Sequence, residues 1–226
     1  MLPAVLRLGL RAGFAALLCA LLAGCTTSPA GYTDPARTGP FYTPKNFAGD
    51  PALPAAIRRV VLLPVHAGAL ASPEQAGSLD QSLLTALQRQ ARFEVVAFTR
   101  EDSRRLFGQP AFDSSGALPA GYLSRIAERH GADAVLFVDL TAYDAYRPLV
   151  VGFRAKLATA KEVRLVWTFD EIISAANPAV ANSARRHYLA ADRSGQPVDL
   201  SQTALQNPAR FAGFAADVMF GTLPPR

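Results

Sequence analysis

The chain of 226 residues is 50% hydrophobic and 18% charged, a composition ordinary for one globular domain. Its formal charge of +5 and pI of 9.6 come from basic residues, mostly arginines, dispersed along the chain. That dispersal reads as a solvated surface and argues against a nucleic-acid-binding patch.

Arg7 and Arg11 give the amino-terminal stretch a positive start, and Phe14 to Ala23 (FAALLCALLA) form an apolar run. The pattern is that of an export signal, since a membrane-spanning helix needs roughly 20 apolar residues. The run ends in Leu22-Ala23-Gly24-Cys25, which resembles the bacterial lipobox. The resemblance implies a signal peptide over residues 1–24, cleavage before Cys25, and attachment of diacylglycerol and palmitate to that cysteine. Cleavage would also remove Cys19, the other of the two cysteines, leaving no thiol for a disulfide or for nucleophilic catalysis. Thr26 stands where an inner-membrane retention signal would place Asp. The expected address is therefore the outer membrane, facing the periplasm.

Residues 25–57 are expected to form a lipidated flexible tether, because Pro, Gly, Thr and Ser dominate and no apolar period survives. Tyr32, Phe41, Tyr42 and Phe47 are unusually aromatic for a spacer and are expected to dock on the domain. The domain itself is predicted over residues 58–226. Val60 to Val65 is a continuous apolar run, as in a strand buried on both faces. Ser72-Pro73-Glu74-Gln75 carries a capping box with Pro at the first helical position, and Leu79, Leu83, Leu84 and Leu87 follow at helical spacing. Phe93 to Phe98 forms the next strand. Thr99 with Asp102 starts a short helix that stops at Gly108.

After a loop containing Pro110, Ser114, Ser115 and Gly116, Pro119 is expected to open a helix ending at Gly131. Ala134 to Tyr143, Leu149 to Leu157 and Val163 to Phe169 are three strands, the last two alternating apolar with charged residues. Short connections make these three an antiparallel meander. Beyond Asn177-Pro178 an Ala-rich helix runs to Ala191. Residues 192–206 look irregular, and Asn207-Pro208 starts a last helix with Phe211, Phe214, Val218 and Met219 on one stripe. The expected fold class is α/β, a mixed sheet of about five strands with flanking helices and a C-terminal helical extension from about residue 178.

Three segments carry a family resemblance. Val60 to Val65 resembles a "VLPF"-type opening strand, Leu83 to Val96 (LLTALQRQARFEVV) resembles a helix followed by "gkFxVV", and Gly131 to Leu136 (GADAVL) resembles "GADxVL". Together they are similar to the superfamily of curli-secretion lipoproteins, the amino-terminal domain of the translocation protein TolB, and lipoprotein activators of penicillin-binding proteins. The likeness spans residues 59–174. It implies a TolB amino-terminal-like domain with no shared catalytic residues and no cofactor, working through contact with other envelope proteins.

The residues themselves offer few catalytic constellations. No GxSxG elbow, HExxH, phosphate loop or CxxC occurs. His66, His130 and His187 are far apart in sequence, so a metal site would require long-range convergence, and none is expected. Asp139, Asp144, Asp170 and Glu171 lie on neighbouring strands and could form an acid/base pair for glycan cleavage. Solvent-facing pairing with Arg154 and Arg164 explains them more simply. Arg185-Arg186-His187-Tyr188 is the densest cationic spot and is expected to be a solvated helix face. The sequence therefore predicts a non-enzymatic, membrane-anchored envelope protein with a protein partner. A cell-wall hydrolase and an oligomeric export component are the alternatives.

Overall fold

The computed structural model describes residues 33–191 and 200–226. The elements, in chain order, are α1 (Pro35–Thr38), β1 (Phe47–Gly49), β2 (Arg59–Leu62), α2 (Pro73–Arg89), β3 (Glu94–Ala97), α3 (Arg100–Phe107), α4 (Tyr122–His130), β4 (Ala134–Asp144), β5 (Val150–Thr159), β6 (Leu165–Ser174), α5 (Pro178–Ala191), a 3₁₀ turn (Leu200–Leu205) and α6 (Pro208–Gly221). Among the described residues the strands form one six-stranded sheet with the order β1-β6-β5-β4-β2-β3. β2 pairs in parallel with both β3 and β4, while β4, β5, β6 and β1 pair antiparallel. The sheet is therefore mixed, with the expected meander at its centre. Among the described residues no helix is long and apolar enough to cross a membrane.

Alternation along the strands divides the interior into two layers. On one face Val60, Leu62, Leu136, Val138, Phe153, Leu157, Trp167 and Phe169 pack beneath α2 and α6. On the other face Val61, Leu63, Val135 and Phe137 meet Phe98 and the apolar side of α4. The strands that supply its buried residues are β2 and β4, with partly buried Val96 of β3 packed against them. The same face of β5 and β6 presents Arg154, Lys156, Thr168, Asp170 and an exposed Ile172.

Local chemistry sets the helix ends. Ser72 Oγ accepts from the Gln75 amide at 3.3 Å, and Gln75 Oε1 accepts from the Ser72 amide at 2.8 Å, closing the box at the start of α2. Ser72→Ala is expected to cost about 1 kcal/mol, measurable as a lower urea midpoint with an unchanged slope. Thr99 caps α3 through the Asp102 amide, and Gly108 and Gly131 end α3 and α4 in the left-handed conformation. Gly152 has a different task. A Cβ there would lie 2.6 Å from Thr141 Oγ1 and 2.9 Å from the Ala142 amide nitrogen, where β4 bulges between Leu140 and Ala142. Backbone cannot retreat as a flexible side chain would. Gly152→Ala should therefore cost about 1–3 kcal/mol, read from the same urea titration.

Several expectations need correction. The sheet has six strands because Phe47 to Gly49 adds an edge strand to β6, opposite Trp167 to Phe169. The described part of the expected tether, residues 33–57, is packed chain: Ala36, Leu53 and Ile57 are buried, and the Tyr42 amide donates to Ser183 Oγ at 2.8 Å. Its Pro and Gly content hid contacts with segments distant in sequence, such as Ser183 and β6. Phe41 and Tyr42 do dock, Phe41 beneath the Arg186 guanidinium at 4.3 Å and Tyr42 through its hydroxyl to Glu171. Phe47 stays half exposed at the sheet edge, and Tyr32 lies outside the described residues. α4 starts at Tyr122 after a left-handed Gly121, not at Pro119. Leu200 to Leu205 form a 3₁₀ turn where irregular chain was expected.

Candidate functional site

The segment after β2 is held in place before any site forms. Val65 donates its amide to Asp80 Oδ1 at 2.8 Å, and Arg100 bridges Asp80 Oδ2 at 2.7 Å and the Val65 carbonyl at 2.8 Å. Burial pushes the Asp80 carboxyl up, and the Val65 and Arg100 bonds pull it back. His66 then runs beside β4: its amide donates to Val138 O at 3.0 Å, and its carbonyl accepts from the Leu140 amide at 2.8 Å. These two bonds straddle Asp139 and fix the His66 backbone directly alongside it.

Asp139 is not the solvent-facing residue that strand alternation suggested. It is only 4% exposed, because the loop 108–121 folds over the outer sheet face and covers it. Ser114 donates its amide to Asp139 Oδ1 at 3.0 Å and its hydroxyl to Oδ2. Lys156 Nζ holds the Ser114 carbonyl at 2.9 Å, tying the same loop to β5. Burial pushes the Asp139 carboxyl up, as does the charge of Asp113, while the Ser114 bonds and His66 pull it down.

Asp113 comes from this loop too. One donor atom from each of His66, Asp113 and Asp139 lies within 4.8 Å of the others. The trio sits next to a cleft of about 290 Å³ lined by His66, Gly68, Pro73, Arg100, Arg104 and Pro110. The cleft opens beyond the carboxyl ends of β2 and β3, the side of a parallel sheet where α/β folds hold ligands.

The other candidate carboxylates do not join the trio. Asp139, Arg154 and Asp170 form a cross-strand row on β4, β5 and β6, and Arg154 Nε grips Asp170 Oδ2 at 2.8 Å. Arg154 therefore stands between the two carboxylates that a hydrolase would need to share one glycosidic bond. Asp144 accepts from the Tyr146 amide at 2.8 Å in the hairpin. Glu171 accepts from the Tyr42 hydroxyl and from the amides of Lys45 and Asn46. Arg164 pairs with Asp50 at 2.8 Å instead of with a strand carboxylate.

The cationic run on α5 is also absorbed into structure, contrary to the solvated face expected of it. Arg185 is buried and its Nε bonds Ser201 Oγ at 3.2 Å, and Arg186 covers Phe41. His187 Nε2 lies 3.2 Å from Asp217, which Arg89 bridges at 2.6 Å. Burial lowers the His187 imidazole and raises the Asp217 carboxyl. His130 packs edge-on against Phe98 with ring centres 5.5 Å apart. Of the residues brought together, sequence reasoning singled out His66 and Asp139 and passed over Asp113 and Ser114. The turn-forming run Asp113-Ser114-Ser115-Gly116 marked a loop there but not what the loop would cover. Cys25 lies outside the described residues.

No family model matches this sequence, and no curated protein matches it. Solved structures to which this chain is similar include a PelC dodecamer from Paraburkholderia phytofirmans, 15% identical, covering 80% of this chain and 96% of that one with a TM-score of 0.45. Lipoprotein GNA1162 from Neisseria meningitidis is 18% identical over 51% of this chain and 79% of that one, with a TM-score of 0.35. The LpoB C-terminal domain from Salmonella enterica is 16% identical over 51% of this chain and 82% of that one, with a TM-score of 0.34.

Proposed function

We propose that this chain is a lipid-anchored protein of the bacterial envelope, held to the outer membrane through Cys25 and facing the periplasm. It works there by contact with other envelope proteins and catalyses no reaction. The observation that carries this reading is the lipobox-like Leu22-Ala23-Gly24-Cys25 placed only a few residues ahead of a packed domain. The state of the strand carboxylates supports it, since Asp170 is neutralised by Arg154 and Glu171 is occupied by the amino-terminal segment. The outer face of β5 and β6, with charged residues around Ile172 at 62% exposure, suits a polar interface with an apolar centre.

A photocrosslinking residue placed at Ile172 in living cells tests the contact. A discrete adduct with an envelope protein, absent when the residue replaces buried Val180, is the expected result. Cells in which the anchored protein yields no adduct from Ile172 or from the exposed Tyr146 would contradict it.

A further inference from the structure

We propose that His66, Asp113 and Asp139 bind one divalent transition-metal ion, Zn²⁺ being the best match, and that the ion clamps the loop 108–121 to the sheet. One imidazole and two carboxylates form a borderline donor set that suits Zn²⁺ better than Mg²⁺ or Ca²⁺, which favour all-oxygen shells. Zinc takes such ligands at about 2.0–2.2 Å, so tetrahedral donor atoms lie about 3.4 Å apart. The three donor atoms already lie within 4.8 Å of one another. A modest rotation of Asp113, which is only partly buried on its loop, closes the difference.

The surroundings fit a ligand shell. Ser114 donates twice to Asp139, fixing the carboxylate as outer-shell partners of metal ligands do. The His66 backbone is locked on both sides of Asp139, so imidazole and carboxylate keep their spacing. The neighbouring cleft of about 290 Å³ has room for water to complete the coordination. Arg154 feels both carboxylates, but it is already paired with Asp170 at 2.8 Å and leaves negative charge at the trio. The ligands come from three segments, the post-β2 chain, the loop and β4, so an ion here closes long loops of chain. The alternative is a cluster that holds the loop by hydrogen bonds alone.

Calorimetric titration of the EDTA-stripped full chain in detergent with ZnCl₂ separates the two. The expected result is one Zn²⁺ per chain, with a melting temperature about 5–10 °C higher when zinc is in hundredfold excess over its dissociation constant. His66→Ala and Asp113→Asn should each weaken binding about tenfold or more and, at the same zinc concentration, cut the thermal shift to about half or less. Asp113→Asn guards against misfolding as the cause, because its metal-free melting temperature should match the parent within a few degrees. No zinc uptake by the parent chain would overturn the proposal, as would binding that survives both substitutions unchanged.

Discussion

A chain ending at Gln206 is expected not to fold. α6 looks peripheral in sequence, since it lies beyond the region with family resemblance, yet it supplies Phe211, Phe214, Met219 and Phe220, all at most 3% exposed. These side chains close the core over α2 and the sheet. Each large apolar side chain contributes about 1.5–3 kcal/mol on full burial, so the four together supply roughly 6–12 kcal/mol. That is as large as the 5–15 kcal/mol by which a typical domain is stable at all. Polar ties would go as well: Arg92 donates to the carbonyls of Leu223 and Pro224, and the Leu53 amide donates to Pro225 O at 2.7 Å. Near-ultraviolet circular dichroism of the truncated chain should show no fixed tertiary packing, and urea should give no cooperative transition. A sharp transition near the parent midpoint would show that α6 is dispensable.

Trp167→Ala is the point substitution expected to cost most. The indole is 1% exposed, with Phe169 at 6.3 Å and Phe220 at 6.5 Å between ring centres. Its Nε1 donates to Thr222 Oγ1 at 3.1 Å, which binds β6 to the end of α6. Removing a buried aromatic of this size costs about 3–5 kcal/mol. For a chain of this length each kcal/mol moves the melting temperature by about 2–4 °C, so a fall on the order of 6–20 °C is expected. Trp167 is the sole tryptophan, so unfolding must be followed by circular dichroism instead of indole fluorescence. Trp167→Phe, which keeps most of the ring and loses the bond to Thr222, should recover more than half of the loss. Equal losses in the two variants would place the energy in the hydrogen bond and not in packing.

What could be read from the sequence and what could not follow the range of the interactions involved. The capping box at Ser72 and Gln75, the Thr99–Asp102 cap and the left-handed glycines at 108 and 131 all act across a few residues, and each formed as expected. The meander of β4, β5 and β6 was legible for the same reason, because its connections are short. β1 was not. Its three residues carry no alternation and exist as a strand only because β6 offers an unpaired edge.

Asp139 shows the same limit at the candidate site. Alternation assigned it correctly to the outer face of the sheet, but a periodicity of two says nothing about what covers that face. The cover is the loop bearing Ser114, 25 residues away in sequence. Asp113 entered the site by the same long-range step. The cationic run on α5 was misread because α2, α6 and residues near Phe41 converge on it, partly burying His187 beside the Arg89–Asp217 pair and setting Arg186 over Phe41.

The proposed role depends first on whether the sulfur of Cys25 carries lipid. Cells fed radiolabelled palmitate should incorporate label into the parent protein and not into a Cys25→Ser variant, and only the parent should sediment with outer membranes. Unlabelled parent protein, or equal label in both, would contradict the account.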